Sequence, residues 1–163
     1  MAFDLATAAA EPAAELKERR QTIAVAESST GGLLSAALLA VPGASAYFLG
    51  GTVIYTIPAR RDLLGVPSDL LKRQTPLTED YVLLCARTIR ERMKATWGIA
   101  ELGATGPAAT PYGHPPGICV LAIDGPVSRT VRLETGHGDR VANMHAFTTA
   151  ALALLAEALA ASR

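Results

Sequence analysis

Apolar and polar positions alternate along the chain in blocks that predict strands and helices in turn. Three short apolar runs have the length of buried strands: residues 22–26, 48–55 and 97–102. A hairpin is predicted around Gly125-Pro126 from two further runs, residues 117–124 and 127–134. The remaining segments show helical spacing of apolar residues or helix stop signals: residues 11–20, 33–41, 58–65, 78–93 and 139–161. The pattern predicts one α/β domain over residues 1–163, a mixed β-sheet covered by helices, with residues 1–10 as a candidate disordered stretch.

Local signals refine this outline. Gly50-Gly51 interrupts the second predicted strand, which favours a bulge or the close approach of another backbone. Thr78 and Asp139 stand where N-caps of the two long helices are expected.

Composition narrows the classes of function. Half of the 163 residues are hydrophobic and the formal net charge is zero, so neither a nucleic-acid partner nor a membrane surface is indicated. The first residues lack the features of a signal peptide, and the carboxyl-terminal Ala/Leu stretch is interrupted by Glu157, which favours a core helix over a membrane span. Cys85 and Cys119 lack metal or redox spacing, which predicts buried free thiols in a cytoplasmic protein. The spacing of His, Cys and carboxylates does not resemble a zinc site, and we expect no bound metal or other cofactor.

The stretch Ala26-Glu27-Ser28-Ser29-Thr30-Gly31-Gly32 lies where a predicted strand passes into a helix. Hydroxyls and unpaired amides at a helix N-terminus favour a phosphate or a developing oxyanion. The alternative is that Ser28 to Thr30 only cap the helix, a common role for these residue types.

Two further loops are rich in glycine and also follow predicted strands: Gly103-Ala104-Thr105-Gly106-Pro107 and Gly136-His137-Gly138-Asp139-Arg140. Neither matches a Walker A loop or a full dinucleotide-binding fingerprint. Long polar loops at strand ends in an α/β domain often share one pocket. We therefore expect Ser28, Tyr55, Arg60, Thr105 and Arg140 to surround a single concave site.

These residues carry a resemblance to a known family. The stretch from Ala26 to Gly32, the run Val41-Pro42-Gly43-Ala44-Ser45-Ala46-Tyr47-Phe48-Leu49-Gly50-Gly51 and Tyr55 are similar to the C-terminal domain of the competence/damage-inducible CinA family. The similarity continues through Leu63-Leu64-Gly65-Val66, Gly103 to Pro107, Pro115 with Gly117, and Gly138-Asp139-Arg140, from about Glu15 onwards.

The resemblance implies an amidohydrolase of the nicotinamide mononucleotide deamidase type, which acts in the pyridine nucleotide cycle without a metal and releases ammonia. It places the nucleophilic serine at Ser28, with Tyr55 and Arg60 as its catalytic neighbours. The substrate, a small nucleotide-like molecule, would contact the loops at Glu27, Ser29, Thr30, Gly31, Gly32, Gly103, Thr105, Gly106 and Arg140. The amides of Thr30 to Gly32 are candidate oxyanion donors, and Glu27 is expected to orient neighbours or hold the ribose. Family habit, with the alanine-rich composition and the Gly50-Gly51 strand, predicts a homo-oligomer.

The chain departs from the family in its catalytic loops. The family lysine that partners the serine is Arg60 here, and arginine stays protonated, so Arg60 cannot act as the general base. His114 and His137 are alternative bases, although loop histidines are more often solvated. Other family positions also differ, and they are occupied here by Ser29, Ile57, Thr105, His114 and Met144.

Two hypotheses of different classes follow. One is an amidohydrolase, slow or directed at a related amide. The other is a CinA-like domain that binds a nucleotide-like ligand without turnover because the lysine is absent. Intact Glu27, Ser28, Gly31, Gly32 and Arg140 favour the enzyme, and Arg60 favours the binding domain.

Overall fold

A five-stranded mixed sheet organises the chain in the computed structural model, which describes residues 3–163. The strands are β1 (Ile23–Glu27), β2 (Phe48–Val53), β3 (Trp97–Ala104), β4 (Ile118–Asp124) and β5 (Arg129–Glu134). Their spatial order is β2-β1-β3-β4-β5. β1 pairs in parallel with β2 and β3, whereas β4 pairs antiparallel with both β3 and β5. The predicted mixed α/β sheet is confirmed.

Helices cover both faces of the sheet. They are α1 (Leu5–Arg19), α2 (Leu33–Ala40), α3 (Ile57–Asp62), α4 (Ser68–Arg73), α5 (Glu79–Met93) and α6 (Arg140–Ala161), with a short 3₁₀ helix at Ala44–Ala46. One core lies between the sheet and α1, α2 and α6, and a second lies between the sheet, α4 and α5. Alternate residues of the central strands enter the two cores, because side chains of a strand point to opposite faces in turn.

The predicted elements are present, with two differences. α1 begins at Leu5 rather than at residue 11, and Pro12 lies inside the helix instead of in its first turn. Residues 5–10 of the candidate disordered stretch are therefore helical here, while residues 1 and 2 lie outside the described residues. α4 had no counterpart in the sequence pattern, since six residues are too few to show helical periodicity.

The bulge predicted at Gly50-Gly51 is confirmed. Ile23 pairs with Phe48 but Ala24 pairs with Gly50, so Leu49 is the extra residue of β2. A side chain on Gly51 would collide with Ser35 Oγ, which shows how closely α2 approaches this strand.

Only one of the two predicted N-caps makes its hydrogen bond. Asp139 caps α6 by accepting a hydrogen bond from Ala142 N at 3.0 Å. Thr78 occupies the N-cap position of α5, but its hydroxyl donates to Thr75 O at 2.7 Å instead of accepting from the helix.

α6 is the helix of the described chain whose length and composition would allow it to cross a membrane. Its apolar face enters the core with β3 and β4 through Phe147, Ala151 and Leu155, as a core helix does. Both cysteines are free and buried, and burial raises the pKa of the Cys85 thiol to about 12 and that of Cys119 well above its ordinary value.

The strand directions determine where the loops meet. β1, β2, β3 and β5 run in the same direction, because each parallel pairing keeps the direction and the two antiparallel pairings reverse it twice. The loops that follow these four strands therefore leave from the same edge of the sheet, the one formed by the carboxyl ends of these strands. This edge is where the predicted site residues converge.

Candidate functional site

The buried side chain of Glu27 binds the turn after β1 through hydrogen bonds. This fully buried carboxylate accepts hydrogen bonds from the amides of Gly32, Leu34 and Ser35 at 3.0–3.1 Å, and from the hydroxyls of Thr30 and Ser35 at 2.6 Å. An anionic side chain at a helix N-terminus satisfies amides that have no partner within the helix. Glu27 therefore caps α2.

A second buried carboxyl, Glu101 of β3, holds the same turn from the neighbouring strand. Glu101 Oε2 accepts from the amides of Ser28 and Thr30, both at 3.0 Å, and lies 2.9 Å from Thr30 Oγ1. Its other oxygen, Oε1, is bonded to the Ser29 hydroxyl and lies 3.7 Å from Cys119 Sγ.

These contacts leave few backbone donors for a ligand. Apart from the amides that bind the two carboxyls, the Gly31 amide donates to Ser28 O and the Leu33 amide donates to Thr30 O, both at 3.2 Å. The expectation that the amides of Thr30 to Gly32 form an oxyanion site is therefore corrected. The alternative that Ser28 to Thr30 cap the helix is also wrong, since Glu27 supplies the cap.

Ser28 and Ser29 face different surroundings. Ser28 lines a cavity of about 240 Å³ at the edge of the sheet. The cavity is lined by Ser28, Tyr55, Arg60, Pro76, Leu77, Leu102, Gly103, Thr110, Pro111 and Tyr112. Ser29 does not line it, because its hydroxyl turns inward to Glu101. A side chain on Gly103 would meet Ser29 Oγ at 2.6 Å, so glycine is needed where β3 passes behind the turn.

Arg60 is the charged group of this cavity. Its guanidinium is buried, and it donates to Ile54 O at 3.1 Å, Tyr81 OH at 3.0 Å and Tyr55 O at 3.4 Å. It also lies over the Tyr81 ring, 5.4 Å from the centroid. Within residues 3–163 no carboxylate pairs with this guanidinium, whereas buried charges usually have a partner of opposite charge. The arrangement suits an anionic or strongly polarised oxygen of a ligand.

Burial raises the pKa of the Tyr81 phenol, although the hydrogen bond and charge of Arg60 act against the shift. Tyr81 therefore stays protonated near neutral pH and offers Arg60 a neutral acceptor.

A second cavity of about 370 Å³ adjoins the first and shares Tyr55, Gly103, Thr110 and Pro111 with it. Its remaining lining residues come from the loop after β3 and from the start of α6: Ala104, Thr105, Gly106, Pro107, Ala108, Ala109 and Arg140. Arg140 donates to Gly106 O at 2.6 Å and lies 3.4 Å from Tyr55 OH. Tyr55 thus separates the two arginines.

Asn143 connects two of the loops. Its side-chain amide donates to Thr105 O at 2.9 Å and His137 O at 2.8 Å, and its oxygen accepts from Thr135 Oγ1 at 2.6 Å. This fully buried residue positions the wall of the Arg140 cavity.

The two histidines considered as alternative bases lie elsewhere. Neither His114 nor His137 lines either cavity, and the His137 ring accepts from the Asp139 amide at 3.3 Å. No histidine, lysine or carboxylate is among the residues that line the Ser28 cavity in the described part of the chain. A conventional general base is therefore absent from that lining.

The structure thus divides the predicted site residues into two groups. Ser28, Tyr55, Arg60, Gly103, Thr105, Gly106 and Arg140 line the adjoining cavities. Five of the predicted contact residues build the turn behind the cavities instead: Glu27, Ser29, Thr30, Gly31 and Gly32. Three residues that sequence reasoning missed belong to the site, and they are Glu101, Tyr112 and Asn143.

A comparison with protein families identifies nearly the whole chain with one of them. The family model of the CinA C-terminal domain matches residues 5–159. The chain belongs to the CinA C-terminal domain family.

Relatives within this family differ in length from the chain. A CinA-like protein of Synechococcus sp. (strain CC9902) is 46% identical over 110 residues, which are 68% of this chain and 26% of that protein. A CinA-like protein of Myxococcus xanthus is 37% identical over 129 residues, 77% of this chain and 31% of that protein. The chain therefore spans roughly a quarter to a third of these curated relatives.

Solved structures match over nearly the whole chain. A CinA superfamily protein from Klebsiella pneumoniae superposes with a TM-score of 0.89 at 29% identity, covering 96% of this chain and 98% of that one. A competence/damage-inducible protein from Agrobacterium tumefaciens gives a TM-score of 0.88 at 27% identity, covering 98% and 99%. The chain thus shares the fold of these CinA proteins over nearly its whole length.

Proposed function

We propose that this CinA-type domain is an amidohydrolase that acts on a pyridine nucleotide, with nicotinamide mononucleotide as the first substrate to test and Ser28 as nucleophile. The observation that carries the proposal is the position of Ser28. It is the turn hydroxyl that lines the cavity, beside the buried cation of Arg60, whereas Ser29 is bonded to Glu101.

In this proposal Arg60 stabilises the oxyanion. The amides of Ser28, Thr30, Gly31 and Gly32 are already hydrogen-bonded, whereas the Arg60 guanidinium lines the Ser28 cavity and can donate to an oxyanion there. Tyr55 and Tyr112 offer aromatic surfaces for a pyridine ring, and Arg140 with the Thr105–Gly106 loop is suited to a phosphate in the adjoining cavity.

The reaction proceeds through an acyl-enzyme. Ser28 Oγ forms a bond to the carboxamide carbon and loses its proton, the carbon–nitrogen bond breaks, and ammonia leaves after taking up a proton. Water then cleaves the ester to the carboxylic acid and restores Ser28. Because no conventional base lines the cavity, hydroxide or solvent takes the serine proton, so we expect slow turnover whose rate rises with pH.

The second candidate function is binding of the same class of ligand without turnover. It is favoured by Arg60, which stays protonated and so cannot take the proton of Ser28. Both candidates share the ligand and the cavity, and they differ in whether ammonia is released.

Ammonia release from nicotinamide mononucleotide by the purified chain, together with calorimetric binding, tests the proposal. We expect release that is lost in Ser28→Ala and largely kept in Ser29→Ala, the matched control one residue away. Binding without release in the wild type would favour the binding domain. If the wild type shows no binding of nicotinamide mononucleotide and no release of ammonia from it, this substrate is excluded for both candidates.

The setting of this activity is part of the proposal. A neutral net charge supports a small-molecule partner rather than nucleic acid or a membrane, in a cytoplasmic protein that self-associates. No group of three or more potential metal ligands lies together within residues 3–163, and a mechanism without metal or other cofactor stays a prediction.

A further inference from the structure

Two buried carboxyl groups lie side by side under the Ser28 turn. Glu27 and Glu101 are paired residues of the parallel strands β1 and β3, and both are fully buried. The Thr30 hydroxyl lies between them, 2.6 Å from Glu27 Oε2 and 2.9 Å from Glu101 Oε2.

One hydroxyl proton cannot satisfy both oxygens. Thr30 can donate its proton to only one of the two carboxyl groups at a time, so this hydroxyl does not offset a negative charge on both. In the described chain no arginine or lysine pairs with either carboxyl to offset two negative charges. Two interacting buried carboxyls favour a state in which one of them holds a proton.

The hydrogen-bond partners identify which carboxyl can hold that proton. Both oxygens of Glu27 accept from backbone amides of α2, and amides cannot become acceptors. Glu101 Oε2 likewise faces the amides of Ser28 and Thr30. Glu101 Oε1 faces only the Ser29 hydroxyl and the Cys119 thiol, which can accept as well as donate.

Burial supports the same assignment, because it raises the pKa of Glu101 against the lowering effect of hydrogen bonds from Ser29, Thr30 and Ser28. The titratable groups that face Glu101 are Glu27 from β1 and Cys119 from β4. The pKa of the Cys119 thiol is also raised, by burial first and then by Glu101. Neither neighbour supplies a positive charge.

We propose that Glu101 is a positioning residue for Ser28 that is protonated at neutral pH: its Oε1 donates to the Ser29 hydroxyl while its Oε2 holds the amides of Ser28 and Thr30. Ser29 is then kept turned away from the cavity and Ser28 is kept in it. The importance of this position for catalysis depends on the proposed function, whereas the protonated state of Glu101 does not.

Matched glutamine variants test the proposal in the full chain. Glu101→Gln replaces Oε1–H by a donor amide and keeps an acceptor at Oε2, so it mimics the protonated side chain. Glu27→Gln places an amide against the N–H groups of α2, so it should lower the unfolding midpoint far more than Glu101→Gln does. The direct readout is the infrared carbonyl band of a protonated carboxylic acid, measured at neutral pH with ¹³C-labelled glutamate.

We expect this band in the wild type, its loss in Glu101→Gln, and an unfolding midpoint in that variant close to that of the wild type. Absence of the band in the wild type, its persistence in Glu101→Gln, or equal destabilisation by the two glutamine variants would overturn the proposal.

Ligand measurements separate this proposal from the proposed function. If the wild type releases ammonia, Glu101→Gln should retain the rate within a few-fold, and Glu101→Leu should lower kcat more than it raises KM. A large loss of kcat in Glu101→Gln would overturn the positioning role. If no ammonia is released while the infrared band is present and assigned to Glu101, the proposed function fails and the protonated state stands.

Discussion

At the scale of single residues, neighbours in the sequence have opposite roles. Glu27 and Ser28 are adjacent, yet one side chain caps α2 inside the protein and the other lines a cavity. Ser28 and Ser29 also differ, because Ser28 lines the cavity whereas the Ser29 hydroxyl is hydrogen-bonded to Glu101. Residue type could not distinguish these roles, because they depend on which strand lies behind the turn. Arg60 has the largest influence on the proposed reaction, since it combines burial with a charge that no carboxylate of the described chain neutralises.

Exchange of Arg60 for lysine tests this residue. A desolvated lysine can lose its proton near neutral pH and accept the proton of Ser28, which arginine cannot. General-base assistance contributes about 10²–10⁴-fold, so Arg60→Lys should create or increase ammonia release from nicotinamide mononucleotide. The measurement is the steady-state rate of release for the two proteins at equal concentration.

Two double variants serve as its controls. Adding Ser28→Ala should abolish the gain, and adding Ser29→Ala should reduce it much less. If Arg60→Lys leaves an already measurable rate unchanged, a base other than residue 60 is at work.

At the scale of helices, strands and loops, the sequence predicted most of the architecture. Strands of five or more apolar residues and long helices show clear periodicity, so β1, β3, α5 and α6 were found with small errors at their ends. Glu101 was missed because it stands inside the apolar run Trp97–Ala104, and its role depends on the pairing of β3 with β1. A lone acid within a buried strand was the available signal. The meeting of the loops was predicted because long polar loops at strand ends in an α/β domain often share one pocket. The structure adds the physical reason, since β1, β2, β3 and β5 run in one direction.

Asn143 provides a test of how the loops are joined. Asn143→Ala leaves Thr105 O, His137 O and the Thr135 hydroxyl without this partner. Loss of buried hydrogen bonds costs about 1–3 kcal/mol, and we expect this decrease in the free energy of unfolding, measured with urea. Thr149→Val is the control on the same helix, where an exposed hydroxyl bonds only His145 O, and it should change stability by less than about 0.5 kcal/mol. Equal effects of the two substitutions would contradict the linking role of Asn143.

At the scale of the whole molecule, β2 forms one edge of the sheet and β5 the other. Leu49 and Val53 of β2 are 40% and 41% exposed, and an edge strand with apolar side chains favours pairing with another chain. We expect a homo-oligomer by size-exclusion chromatography and small-angle scattering at micromolar concentration. Leu49→Lys with Val53→Lys should shift it toward monomer, whereas Val131→Lys on β5 should not. A monomeric wild type would contradict this prediction.

The pH dependence of stability combines two acids with opposite shifts. Burial acts to raise the pKa of Asp124, but hydrogen bonds from Ser128 and Arg90 and the charges of Arg90 and Arg87 outweigh it and lower the pKa. Its contribution to stability is therefore present above the unfolded pKa of about 3.9 and is lost as the pH falls through the folded value. Glu101 has a raised pKa, so its contribution is complete below the unfolded value of about 4.3 and is lost as the pH rises through the folded value.

The free energy of unfolding, measured with urea over a pH series, should fall at both ends. Asp124→Asn should reduce the fall in the free energy of unfolding at acid pH alone. Glu101→Gln should reduce the fall at alkaline pH alone. An unchanged alkaline slope in Glu101→Gln would show that this carboxyl does not take up a proton on folding.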